Sequence, residues 1–288
     1  MKYAELVKQG QIKLFKAGIN NADFDAWVLV EKICGISRTE YFVKMHDEVS
    51  EDIVTSYFEA IDKRITHYPL QYIVGEWEFM GIPFKVNENV LIPRQDTEIL
   101  VEKALEIIGS EFEKIKGKIS VMDMCTGSGC IGISVAKKCQ NTSVTCVDIS
   151  KAALEVAKEN GKLNGVKNIS FIESDLFENV NGKFNVIISN PPYITSAEIK
   201  KLMPEVKDFE PHLALDGDSD GLKFYKLIIN HSKEYLNENG YILFEIGYDQ
   251  GEQVKKLLFE KGYTDIEVLK DLGGNDRVVI GKRRKMYV

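Results

Sequence analysis

The residues in this chain best suited to chemistry are Asn190-Pro191-Pro192-Tyr193, which directly follow the apolar run Phe184-Asn185-Val186-Ile187-Ile188. A buried parallel strand ending there opens into a cleft. An asparagine side-chain oxygen and the carbonyl of the first proline can each accept one N–H of a planar NH2 group, while an aromatic ring covers its flat face. Two consecutive prolines restrict the loop backbone and help hold both acceptors in place. Asn-Pro and Pro-Pro also mark ordinary turns, so the motif needs support from the rest of the chain.

A second cluster occurs earlier, at Asp123-Met124-Cys125-Thr126-Gly127-Ser128-Gly129-Cys130-Ile131-Gly132. Gly127, Gly129 and Gly132 satisfy the GxGxxG spacing that places a pyrophosphate at a helix N-terminus, the signature of a nicotinamide oxidoreductase. That reading leaves the asparagine motif unexplained. Asp123, on the strand side of the turn, can instead receive the amino group of a cofactor that contains an amino acid. Asp148 ends the next strand and is placed for two ribose hydroxyls. Asp175 can accept the exocyclic amine of adenine, with Leu176 as an apolar wall and backbone donor. All three carboxylates follow successive strands, on the edge where open sheets bind ligands.

The elements that must position these groups fall into two regions. Helical periodicity over residues 3–15, 24–34 and 51–64, with a capping box at Ser37-Arg38-Thr39-Glu40, predicts a small helical domain over residues 1–70. Its expected core includes Leu6, Ile12, Leu14, Trp27, Val28, Val30, Ile33 and Phe58. Residues 71–90 form a linker with a hairpin around Gly81, in which Pro83 restricts the strand ladder. Residues 91–288 alternate strands and helices. Asp96 is expected to cap a helix through Ile108; strands are expected at 119–124, 142–147, 168–172, 184–188, 241–246, 266–269 and 277–280. Helices at 131–138 and 151–160 separate the earlier strands, so the economical fold is α/β with a parallel sheet covered on both faces.

Composition narrows the function classes. The net charge of −7 argues against a protein whose main partner is bare nucleic acid, and Lys282-Arg283-Arg284-Lys285 reads as a solvated tail. Five cysteines without a CxxC pair favour reduced thiols in a cytoplasmic protein. The four histidines make no HExxH arrangement, so no protein-bound metal is expected. No apolar stretch has the length to span a membrane, and no apolar leader follows Met1.

Taken together, these segments resemble the class I S-adenosylmethionine-dependent methyltransferases, and within them the HemK or PrmC family, glutamine N5-methyltransferases of bacterial peptide chain release factors. The resemblance extends over Tyr68-Pro69-Leu70-Gln71-Tyr72-Ile73-Val74-Gly75, Leu91-Ile92-Pro93-Arg94, Asp96-Thr97-Glu98, the glycine turn, Val147-Asp148-Ile149-Ser150 and the asparagine motif. It continues through Pro204-Glu205-Val206, Phe209-Glu210-Pro211, Ala214-Leu215-Asp216-Gly217, Asp220-Gly221-Leu222 and Phe244-Glu245-Ile246-Gly247. The asparagine motif is shared with methyltransferases that act on nucleic-acid bases; the flanking segments narrow the match.

The resemblance implies a seven-stranded sheet whose last strand is antiparallel, with the cofactor held by Asp123, Cys125, Thr126, Gly127, Ser128, Gly129, Asp148, Asp175, Leu176 and Asn190. It implies methyl transfer to the glutamine of a Gly-Gly-Gln loop: Asn190 and Pro191 accept the amide protons, Pro192 shapes the loop, and Tyr193 packs on the amide plane. The helical domain then serves as a recognition surface for the release factor. The family commonly has glycine where this chain has Cys125, so a positive φ there would strain the cysteine. A nucleic-acid base amino-group methyltransferase and a noncatalytic nucleotide-dependent protein-binding module are the alternative readings.

Overall fold

The computed structural model describes residues 1–114 and 116–284. Lys285, the last residue of the basic run, lies outside them, as does the end of the expected 91–288 domain. The described chain forms two compact units, one of Met1–Glu76 with Met203–Phe209, the other of Trp77–Leu202 with the chain from Glu210 onward.

The first unit is built from α1 (Tyr3–Lys16), α2 (Ala22–Cys34), α3 (Arg38–Lys44), α4 (Glu51–Arg64) and α5 (Leu70–Val74). Ser37 caps α3 through a capping box with Glu40, as its sequence spacing predicts. Leu6, Leu14, Leu29, Val30, Tyr57 and Ile61 are buried between the helices, with Trp27, Val28, Ile33 and Phe58 packed partly buried around them. Ile12 departs from expectation: the buried face of α1 runs Leu6, Val7, Gly10, Leu14, and Ile12 stands off that stripe, 44% exposed. A buried ion-pair cluster also lay hidden in the sequence. Arg64 Nε donates to Asp25 at 2.7 Å and Nη2 to Glu205 at 3.1 Å, while Tyr68 meets Phe209 edge-on at 5.2 Å. These contacts hold Met203–Phe209 in this unit.

The second unit begins with the hairpin β1 (Glu76–Phe79) and β2 (Ile82–Lys85). Met80 and Gly81 both have positive φ, 54° and 75°, the backbone of a type I′ turn that matches strand twist. Phe79 and Phe84 are buried in this unit's core. The sheet comprises β3 (Ile119–Met124), β4 (Thr142–Asp148), β5 (Ile169–Glu173), β6 (Phe184–Ser189), β7 (Leu236–Glu245), β8 (Tyr263–Lys270) and β9 (Asp276–Arg283). Its order is β5-β4-β3-β6-β7-β9-β8, parallel except for β9, which runs antiparallel to both neighbours.

Alternate residues point to opposite faces. Val121, Val186, Ile188 and Leu243 join one core layer with α6 (Asp96–Glu111) and α7 (Cys130–Lys138). Met122, Ile187, Ile242 and Phe244 join the other with α11 (Lys223–Tyr235) and α12 (Gly251–Glu260). Helix α8 (Lys151–Leu163) connects β4 to β5, and α9 (Ser196–Ile199) and α10 (Pro204–Lys207) are single turns after β6. Asp96 does not cap α6. Gln95 occupies the N-cap, and the Asp96 carboxylate instead pairs with Arg277 at 3.3 Å.

Candidate active site

The order of strands reverses between β3 and β6, because the chain winds outward from β3 through β5 and then returns to add β6 on the other side. Such a switch point leaves a crevice outside the carboxyl ends of the strands. A cavity of about 330 Å³ lies there. Its walls include Cys125, Thr126, Gly127 and Ser128 after β3, Asp148 ending β4, Asp175 and Leu176 after β5, and Asn190 and Pro192 after β6. Asp123, Gly129, Pro191 and Tyr193 are not on the wall; they lie in or behind the loops that form it.

Two of the carboxylates expected to bind ligand also fasten the loops after β3 and β4. Asp148 Oδ2 accepts from the Gly127 amide at 2.8 Å and Oδ1 from the Ser150 amide at 2.9 Å. Burial raises its carboxyl above the ordinary range against those backbone bonds. Asp123 is fully buried, its Oδ2 accepting from the Gly132 amide at 2.9 Å and from the Thr126 hydroxyl, while Oδ1 has no partner. Desolvation pushes its carboxyl up to about 7. The glycines divide the labour: a Cβ on Gly132 would stand 2.4 Å from Cys146 Sγ, so its absence permits close packing of α7 on the sheet. Gly129 is constrained twice, by its φ of +81° and by Ile133 Cδ1, which would lie only 2.7 Å from a Cβ at this position. Cys125 has φ +60°, the left-handed region, and the cysteine there carries the strain that glycine would avoid.

The asparagine motif is braced from behind. Gln250 Nε2 donates to the Tyr193 carbonyl at 3.0 Å, and Ile194 bridges to Asp216. A Cβ on Gly217 would lie 2.7 Å from Tyr193 Cα, so this downstream segment packs directly on the motif's backbone. The Tyr193 ring is half-buried and its hydroxyl donates to Glu245 Oε1 at 3.2 Å. Asn190 Nδ2 donates to Thr97 Oγ1 at 3.4 Å. Among the described residues neither Asn190 Oδ1 nor the Pro191 carbonyl accepts a hydrogen bond, so both acceptors remain available.

Residues to which the sequence alone assigned no role include Thr97 and Arg94 on the cavity wall and Glu210 and Glu245 behind it. Arg94 lines the cavity and pairs with the buried carboxylate of Glu210, which also accepts from the Ile92 amide at 3.4 Å. Asn160 ties the hairpin to the glycine turn, donating to both the Lys85 and Ser128 carbonyls.

Residues 5–75 match the family described as PrmC N-terminal domain, and residues 100–208 match the Methyltransferase small domain. A release factor glutamine methyltransferase from Fusobacterium nucleatum is 42% identical over 94% of this chain and 76% of its own length. Another of that name, from Clostridium botulinum, is 41% identical over 98% of both chains. Among solved structures, the hMettl16 catalytic domain in complex with an RNA hairpin covers 83% of this chain and 84% of its own, with a TM-score of 0.59 at 14% identity, a likeness of fold. Among the described residues, no helix is long and apolar enough to cross a membrane. With both domains matched and near full-length relatives at this identity, the chain belongs to the release factor glutamine methyltransferase family.

Proposed function

We propose that this chain transfers a methyl group from S-adenosylmethionine to the side-chain amide nitrogen of the glutamine in the Gly-Gly-Gln loop of bacterial release factors, in the cytoplasm. The observation that carries this reading is the pair of available acceptors, Asn190 Oδ1 and the Pro191 carbonyl, at the carboxyl end of β6 beside the cavity.

The cavity's residues fit the cofactor. Asp148 keeps unused lone pairs for ribose hydroxyls, Asp175 and Leu176 suit an adenine edge and face, and the loop Cys125-Thr126-Gly127-Ser128-Gly129 would carry the amino-acid end. The unpartnered Oδ1 of Asp123 is an acceptor for its amino group. When bound, the cofactor supplies an electrophilic methyl on a sulfonium.

An amide nitrogen is a poor nucleophile because its lone pair is delocalised, so presentation and electrostatics must supply much of the catalysis. Asn190 Oδ1 and the Pro191 carbonyl accept its two protons, which turns the nitrogen's lone pair along one line and favours the positive charge developing there. The Tyr193 ring limits tilt of the amide plane. The N-methylated cationic amide is strongly acidic and loses its proton readily, so no histidine base is required.

The first unit is a second contact surface for the protein substrate. Phe42 and Val43 on α3, 64% and 80% exposed, support this role because exposed apolar side chains favour a partner over water.

Incubating the purified chain with labelled S-adenosylmethionine and release factor, nucleic acid or no acceptor tests the reading. N5-methylglutamine in the Gly-Gly-Gln tryptic peptide, by mass spectrometry, is the expected result; label on nucleic acid alone would overturn it.

A further inference from the structure

The loop Asn190-Pro191-Pro192-Tyr193 has to hold two acceptors and a ring in one arrangement, yet it has no regular secondary structure of its own. Its first end is pinned by the sheet. Ser189 pairs with Met124 on one side and Phe244 on the other, and its hydroxyl donates to the Met124 carbonyl at 2.7 Å. The two prolines fix φ in the middle of the loop, so few torsions stay soft. The second end is set by the grip on the Tyr193 carbonyl.

That grip is Gln250, 6% exposed at the N-cap of α12. Its Nε2 donates to the Tyr193 carbonyl at 3.0 Å and to the Gly221 carbonyl at 3.3 Å, while Oε1 accepts from the Gly247 amide at 2.9 Å. A carbonyl only accepts and a backbone amide only donates, so these three partners admit one orientation of the side chain. A carboxylate of the same shape would set an oxygen against both carbonyls. An apolar side chain would leave three backbone groups unpaired. The fit is close: a Cβ on Gly221 would lie 2.4 Å from the Tyr193 carbonyl oxygen and 2.6 Å from Gln250 Nε2. Ile194 is held as well, its amide donating to the Leu215 carbonyl at 3.0 Å and its carbonyl accepting from the Gly217 amide at 2.8 Å. With both ends fixed and prolines between them, the Tyr193 carbonyl, the Tyr193 ring and the Pro191 carbonyl move together.

We propose that Gln250 is a positioning residue for the transfer: by holding the Tyr193 carbonyl it sets the direction of the Pro191 carbonyl and of the Tyr193 ring, an inference that rests on the function proposed above. Gln250 lies behind the loop and not on the cavity wall. Its loss therefore falls on turnover, while the affinities for cofactor and release factor are kept.

The test compares Gln250→Met, which keeps the length but makes none of the three hydrogen bonds, with Gln250→Glu, which keeps the shape and at neutral pH has no donor. With cofactor-loaded enzyme and release factor, both should lower kcat about 10- to 100-fold with KM nearly constant, as for a small misplacement of a catalytic group. Val254→Ala, which opens a cavity in the core on the same helix, is the control for lost stability alone and should keep kcat near that of wild type. A second arm needs no acceptor protein. In enzyme loaded with S-adenosylmethionine and labelled with ¹³C-carbonyl tyrosine and ¹⁵N-isoleucine, the Tyr-Ile pairs 72–73, 193–194 and 241–242 give three carbonyl signals. The Tyr193 signal, identified by its loss in Ile194→Val, should move upfield in Gln250→Met as its hydrogen bond is lost, with the other two unmoved. A folded Gln250→Met enzyme with wild-type kcat, a Val254→Ala enzyme equally slow at equal stability, or an unmoved Tyr193 signal overturns the proposal. If wild type fails to methylate the release factor, the substrate reading falls, and the carbonyl arm still decides whether Gln250 holds the loop.

Discussion

The Tyr193 hydroxyl donates to Glu245 Oε1 across 3.2 Å, joining residues 52 positions apart at the ends of neighbouring strands. The ring thereby has two attachments, its backbone through Gln250 and its tip through a buried acid. Tyr193→Phe should retain most of the ring's packing and lose about 1–3 kcal/mol of stability by chemical denaturation, the cost of leaving a buried acceptor unpaired. Tyr193→Ala should lose more activity than Tyr193→Phe, because it also removes the surface proposed to cover the amide plane.

Asn190→Ala removes one of two acceptors without disturbing the prolines. Single-turnover methylation of the release factor should slow about 10²- to 10³-fold, the scale for loss of one preorganised electrostatic contact. Cofactor affinity by calorimetry should change little, and a folded variant with the wild-type rate would defeat the mechanism.

Asp148→Ala should weaken cofactor binding about 10- to 100-fold in a calorimetric titration, the range for losing hydrogen bonds to a charged group. Part of that effect arises from the loop itself, since Asp148 Oδ2 holds the Gly127 amide. Unchanged affinity in the folded variant would remove Asp148 from the cofactor site.

Cys125 sits at φ +60° in a position where glycine is free of strain. Cys125→Gly should raise stability by about 0.5–1 kcal/mol in urea unfolding, the relief of the left-handed penalty less glycine's entropy. Cys125→Val should destabilise, because β-branching worsens the same clash.

Asp123 gives a pH signature. Its folded carboxyl is raised to about 7 from 3.8, so between those values the folded protein holds a proton that the unfolded chain has lost. Stability from this group therefore falls as pH rises through that window and is lowest above it. Asp123→Asn should flatten the fall in denaturation free energy between about pH 4 and 7. An unchanged slope would mean that Asp123 ionises normally in the fold.

What the sequence disclosed follows from locality. Residues 119–124 and 184–189 are near-continuous apolar runs, so their strands and the loops after them could be placed, and Asn190, Gly127 and Asp148 came with them. Strand β7 began five residues earlier than expected because Asn237-Glu238-Asn239-Gly240 reads as a turn, and Asn239 indeed has φ +60° within the strand. Thr97 and Glu245 could be quoted as part of a resemblance but not given a role. Their partners lie 93 and 52 residues away, and no periodicity reports which distant side chains a fold brings together. Nothing in the segment 51–64 distinguishes Arg64; only the fold reveals Asp25 and Glu205 closing over it.

The return of Met203–Phe209 to the first unit makes the chain's two bodies inseparable by a single cut. A protein starting at Trp77 would still carry Glu205 without Arg64 and Phe209 without Tyr68, an acid and an aromatic ring stripped of their partners a short distance after the asparagine motif. Loss of activity on such a truncation would mix the loss of the recognition proposed for the first unit with a disturbed loop. Exchanging N-terminal units between relatives accordingly requires two grafts, the N-terminal helices and the segment Met203–Phe209 together, and a chimera carrying only the first should fold with the wrong complement against its own helices.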